Sequence, residues 1–201
     1  TLAATYPSPM VAWARYLFHV VVMLAVLAPS HGRRLLKTRR PDLQVLRGLC
    51  LGTSSLCFFG AIAHMPLAEA TSIVAIAPIL IALAAVRWLG EKAPPGTGVS
   101  LVLSFIGVLL IVRPGTALFG WAAVLPLATA MFVTGYQLLT RRLNGEDDGV
   151  STLFIGAVVV TVVLSAIMPW YWVTPRSWFD MALFVATGAI GAGGHWLLVR
   201  A

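Results

Sequence analysis

Seven stretches of the chain, most of them close to twenty residues long, run almost without charge: 10–30, 48–65, 68–88, 97–113, 118–139, 150–170 and 180–200. A helix of about 20 apolar residues crosses the hydrocarbon core of a bilayer. No water is available there for stray backbone groups, so the only spanning structures are helices and closed barrels. A barrel strand alternates apolar and polar residues over about ten positions. The run Val158-Val159-Val160-Thr161-Val162-Val163-Leu164 is almost wholly apolar on both faces, so helices are predicted throughout. Charged residues make up only 10% of the chain, against about 25% in an ordinary soluble domain. The sequence therefore predicts an all-α integral membrane protein, a polytopic helical bundle. Most soluble enzymes, nucleic-acid-binding modules and disulfide-stapled secreted domains are excluded.

The seven spans are called a to g. The net charge of +7 does not mark a nucleic-acid face, because the cations sit in short runs between apolar stretches. They mark topology instead. Arg33, Arg34, Lys37, Arg39, Arg40 and Arg47 fall between spans a and b. Arg87 and Lys92 bound the c–d turn, Arg141 and Arg142 the e–f loop, and Arg200 closes span g. The opposite connections hold only Arg113 and Arg176. By the positive-inside rule the a–b, c–d and e–f connections are expected in the cytoplasm, with the protein in the cytoplasmic (inner) membrane. The a–b cations are read as topological, in contact with anionic lipid, with a regulatory lipid or nucleic-acid site as the alternative. The Trp170-Tyr171-Trp172 cluster and Trp178 read as an aromatic belt on the other side. Cys50 and Cys57 have neither CxxC nor metal-ligand spacing and read as small apolar fillers.

No catalytic constellation is present: there is no HExxH, no GxSxG and no pair of intramembrane carboxylates. Neither catalysis, nor a cofactor, nor a bound metal is expected. Gly188-Ala189-Ile190-Gly191-Ala192-Gly193-Gly194 lies inside span g, where so many small residues let a neighbouring backbone approach.

Polar groups inside the bilayer are the better lead, since they are costly there and usually have a use. Arg15 and His19 are four apart and share one face of span a. At about 1.5 Å per residue from Met10, Arg15 lies roughly 7 Å in and His19 roughly 13 Å in. That face is expected to look into the bundle. Either it forms a cationic, titratable wall of a substrate path, or Arg15 snorkels outward and His19 bonds a neighbouring carbonyl. Glu69 opens span c, where a carboxylate is favoured by the helix dipole; the alternative is a pairing with Arg15. Pro78 has no N–H to donate and should kink span c near mid-membrane. Pro126 makes a weaker case of the same kind. Tyr136 and Gln137 read as interfacial anchors, and His195 as a bundle histidine or a proton relay.

Residues 66–115 closely resemble the drug/metabolite transporter superfamily, in its EamA-type branch. The resemblance rests on Pro66-Leu67-Ala68-Glu69-Ala70 opening a span, Pro78 within it and Gly90-Glu91 at its exit. Gly107-Val108 and Arg113-Pro114-Gly115 follow in the next span. Arg15-Tyr16-Leu17 is similar to the start of another family span. The resemblance implies ten helices in two five-helix repeats. Spans a–d and e–g would correspond to helices two to five and six to eight. Residues 1–115 would then form a first repeat without its first helix, and residues 116–201 the opening three helices of the second. The chain's ends, without an initiator Met and within an apolar run, are read as cut. Spans a and f would be repeat partners five spans apart, an odd offset that makes the repeats inverted.

The implied activity is secondary transport of small organic metabolites or drugs by alternating access, with the bilayer and a small solute as partners. Proton coupling would rest on Glu69 and His19, and a homo-oligomer is left open. The alternatives are a membrane enzyme acting on lipid-linked substrates and a non-transporting scaffold. Arg15, His19, Glu69, Pro78 and His195 are the candidates for the substrate or proton path.

Overall fold

The computed structural model describes residues 2–90, 96–112 and 121–200; a few side chains, those of Arg33 and His195 among them, lie outside the description. Every predicted span is helical over most of its described residues. The helices are α1 (Leu2–Thr5), α2 (Ser8–His31), α3 (Pro41–His64), α4 (Leu67–Val74), α5 (Ala77–Ala84), α6 (Thr97–Val112), α7 (Val124–Leu143), α8 (Gly149–Tyr171) and α9 (Trp178–Arg200). Spans a, b and d to g map onto α2, α3, α6, α7, α8 and α9. Span c is interrupted: α4 ends at Val74, a turn occupies Ala75 and Ile76, α5 begins at Ala77, and a π turn follows over Ala85–Leu89. The exit of span c at Glu91, with Lys92, and Arg113 after α6 lie outside the described residues.

Many large apolar side chains face outward along the spans. Val26, Val99, Leu103, Met131, Val162 and Ile190 are all exposed, as helices facing lipid require. The belt residues Trp170, Tyr171, Trp172 and Trp178 are exposed as well. The protein is a polytopic helical membrane protein.

Helix contacts divide the chain into two compact units, one of residues 1–52 with 143–201 and one of residues 53–142. In the first, α2 packs against both α8 and α9. Met23, Leu27, Leu35, Phe154 and Ala192 form a buried apolar cluster there. Small residues set the close approaches: a Cβ on Gly48 would lie 2.6 Å from Val159 of α8, and one on Gly188 would lie 2.4 Å from Phe18 Cβ of α2. In the second unit, α4 packs on α6. Thr129 of α7 donates to Leu125 O at 3.0 Å and meets Ser54 O of α3 at 3.4 Å.

The largest departure from expectation is the start of α3. Hydropathy begins span b at 48, but the helix begins at Pro41, whose fixed φ suits a first helical turn. Gln44 and Arg47 are therefore helical and buried, at 0% and 1% exposure. Arg47 is not a loop cation touching lipid: its Nη1 donates to Thr152 O of α8 at 2.9 Å. Gly156 leaves the space, since a Cβ there would lie 2.8 Å from Arg47 Nη1.

Candidate functional site

Arg15 and His19 do share one face of α2, and that face meets α9. His19 is 3% exposed and Arg15 half-buried. A Cβ placed on Gly191 would lie 3.5 Å from His19 Nδ1 and 3.7 Å from Arg15 Nε. Both side chains thus converge on one bare stretch of α9 backbone. One turn earlier, Gly188 brings the two backbones together: its Cβ would come within 2.9 Å of His19 N and 3.0 Å of Arg15 O. His19 Nε2 lies 3.1 Å from Met23 Sδ. A thioether can only accept, so this contact suits an Nε2–H donor. The Arg15 guanidinium carbon lies 5.1 Å from the Tyr16 ring centroid, within cation–π range, and the Tyr16 ring stacks over that of His19 at 6.5 Å.

Above this face the same unit is fastened by Tyr6, which is buried against Phe184 with ring centroids 5.2 Å apart. Its hydroxyl donates to Asp180 Oδ2 at 2.8 Å and accepts from the Arg176 N–H at 2.9 Å. Ser177 accepts the Asp180 N–H at 3.1 Å, the N-terminal cap of α9. That Ser-x-x-Asp spacing was a usable sequence signal; the partnership with Tyr6, 174 residues away, was not.

At the opposite, basic end the a–b and e–f connections are joined through Asp147. Its carboxylate accepts from the Thr38 hydroxyl, from the Arg39 N–H at 2.8 Å and from Gln44 Nε2 at 2.9 Å. Gln44 Nε2 also donates to Thr152 Oγ1 at 3.0 Å. Partial burial pushes the Asp147 carboxyl up, but these three donors and the nearby Arg39 charge outweigh it and hold the group below its ordinary value. Asp148 caps α8, accepting from Ser151 N–H at 3.1 Å, and the Ser151 hydroxyl donates to Arg34 O at 2.8 Å. A cavity of about 470 Å³ opens here between the two connections. His31, Arg34, Lys37, Thr38 and Arg39 form one side; Glu146, Asp147, Asp148 and Ser151 form the other.

Glu69 and Pro78 belong to the second unit. Glu69 stands in the first turn of α4, with its N–H bonded to Pro66 O at 3.1 Å, so the dipole placement holds. Pro78 sits in the first turn of α5, directly after the interruption. Its missing N–H removes the partner that Val74 O would have in a continuous helix. The local break was therefore legible from one residue. His195 continues α9, but its side chain lies outside the described residues.

The family model of EamA-like transporters matches residues 1–113, more than half of the chain. The chain belongs to this family. Among relatives of this EamA-like chain is the S-adenosylmethionine uptake transporter of Rickettsia felis, 28% identical over 191 residues, which are 95% of this chain and 64% of that protein. The pseudopaline exporter CntI of Pseudomonas aeruginosa is 28% identical over 200 residues, covering 99% of this chain and 70% of the exporter. The riboflavin transporter of Vibrio cholerae is 24% identical over 197 residues, covering 97% and 66%. The chain thus spans 64% of the length of the Rickettsia relative. No solved structure matches it.

Proposed function

We propose that this EamA-like chain carries small organic metabolites across the cytoplasmic membrane by alternating access, with its basic end in the cytoplasm. Family membership carries the reading, because the relatives are named as transporters of chemically unlike small solutes. The geometry supports it in two places. Arg15 and His19 form a polar face held within one unit against bare α9 backbone. The interruption at Ala75–Ile76 with Pro78 after it leaves Val74 O without its helical N–H partner inside a membrane span, and discontinuous helices of this kind line transporter binding sites. Arg15 is assigned the substrate's negative group, and His19 with Glu69 the coupling proton. Residues 1–115 and 116–201 are read as portions of two inverted repeats. A membrane enzyme would need a convergent acid, base or metal cluster, and neither Arg15–His19 nor the Pro78 break supplies one.

The test is counterflow in proteoliposomes, screened against amino acids, nucleosides, organic acids and cationic drugs. Saturable exchange competed by one class is expected, together with its loss in Arg15→Gln at unchanged expression. A Glu69→Gln, His19→Asn protein should exchange substrate without responding to a pH gradient. No exchange with any class, from folded protein, would overturn the reading.

A further inference from the structure

The cavity at the basic end has two walls of opposite charge. Arg34, Lys37 and Arg39 stand on one side, and Glu146, Asp147 and Asp148 on the other. Within this unit, among the described residues, the ion pair closer than 4 Å is Arg40–Asp42, which is not part of the cavity. Thr38 and the Arg39 N–H tie the walls together at Asp147, while the charged side chains of Arg34, Lys37 and Arg39 pair with none of the three carboxylates within 4 Å. Their hydrogen bonding is also unequal. Asp147 is occupied by Thr38, the Arg39 N–H and Gln44, and Asp148 by Ser151. Asp148 and Glu146 are both exposed, and among the described residues Glu146 is the one of the three carboxylates whose side chain accepts no hydrogen bond, while the side chains of Arg34 and Lys37 are exposed donors on the opposite wall.

A bare anion here would face three carboxylates, and a bare cation three cationic side chains. A ligand bearing both charges a few ångströms apart satisfies both walls, which is electrostatic complementarity used for selection. A volume of about 470 Å³ lies in the range of small-ligand pockets. Depth narrows the choice further. The 24 residues of α2 run about 36 Å at 1.5 Å per residue, longer than the roughly 30 Å hydrocarbon core. His31 ends α2, and Asp148 caps the start of α8, so the cavity lies where lipid head groups lie.

We propose that this cavity is a binding site for a phosphate-bearing zwitterion, the head group of an aminophospholipid. Arg34 and Lys37 hold the phosphate, as guanidinium and ammonium groups do, and Glu146 accepts from the primary ammonium. The site rests on the membrane-spanning fold and not on transport, so the two readings fail separately.

The experiment is native mass spectrometry of the purified protein in detergent, titrated with phosphatidylethanolamine, phosphatidylcholine or phosphatidylglycerol of matched acyl chains. Phosphatidylethanolamine should be retained about fivefold better than phosphatidylcholine, which has no N–H for Glu146, the size of one exposed ion pair. It should also be retained better than phosphatidylglycerol, which has no cation. Both preferences should vanish in Glu146→Gln, and the double variant Arg34→Gln, Lys37→Gln should retain all three lipids less well than the wild type. These side chains are exposed, so the variants should melt with the wild type, and their melting curves check that they are folded. Equal retention of the three lipids by the wild type, preferences that survive Glu146→Gln, or unchanged retention by the double variant would overturn the proposal. Best retention of phosphatidylglycerol would overturn it in favour of a plain anion site. Glycerophosphoethanolamine is the second arm: displacement of the lipid by this soluble head group at matched concentration would overturn the lipid assignment and give the site to a soluble zwitterion.

Discussion

Gly188→Ala tests whether the Arg15–His19 face is held by backbone contact between α2 and α9. The added methyl would lie 2.4 Å from Phe18 Cβ, 2.9 Å from His19 N and 3.0 Å from Arg15 O. Carbon atoms pack at about 3.5–4.0 Å, so relief requires a displacement of roughly 1 Å. None of the three atoms is the end of a flexible side chain; the helices themselves must separate. Overpacking of this kind costs about 1–3 kcal/mol, while alanine returns up to about 1 kcal/mol of helix propensity. Three contacts at 3.0 Å or less place the cost in the upper part of that range, about 2–3 kcal/mol, so the net expectation is a loss of about 1–2 kcal/mol, or roughly 2–8 °C in melting temperature for a chain of this size. Gly193→Ala is the control, since nothing lies within 4 Å of its Cβ, and it should melt at or above the wild type. Gly191→Ala makes only ordinary contacts, at 3.5 and 3.7 Å, and should leave the fold intact while crowding the two polar groups. Thermal unfolding of the three variants in detergent decides the matter. If Gly188→Ala melts with the wild type, or Gly193→Ala falls as far, close approach at Gly188 does not hold this face.

The Asp147 clasp should respond to acid with a definite sign. Its carboxyl is held below the ordinary 3.8, so its contribution is complete above that value and disappears as pH falls through the folded value. Asp147→Asn should cost about 1–2 kcal/mol at neutral pH; the melting difference from wild type should hold to about pH 5 and shrink below about pH 4, and a difference that grows with acid would refute the assignment. At the buried arginine, Gly156→Ala should push the guanidinium, 2.8 Å from the new methyl, off Thr152 O. A loss of about 1–3 kcal/mol is expected, and it should shrink when Arg47 is already alanine, as a double-mutant cycle in detergent would record.

The spans were legible because a bilayer imposes length and hydropathy on each segment separately, and so was the break at Pro78, which follows from one missing N–H. The shared face of Arg15 and His19 followed from their spacing alone. What that face meets did not, because Gly188 and Gly191 come from a helix some 170 residues later. The start of α3 shows the limit more sharply. Hydropathy stops at the first charges, which leaves Gln44 and Arg47 outside span b. Both are buried in the helix because Thr152, Gly156 and Asp147, about a hundred residues away, supply acceptors and space. Charge read along the sequence says which end of a span is basic; it does not say which cations leave water.

The same distinction bears on how the first unit works. α2 is gripped at both ends by residues distant in sequence. Tyr6, just before it, is fastened to Asp180 and to the Arg176 backbone, and beyond its far end Thr38 and Arg39 are fastened to Asp147. Between these grips the α2–α9 seam carries the half-buried cation and the buried histidine. A helix pinned at two ends cannot shift at its middle without straining one of the pins. The place of Arg15 and His19 against Gly191 thus rests on Tyr6 at one end of α2 and on Thr38 and Arg39 beyond the other, as well as on the seam itself.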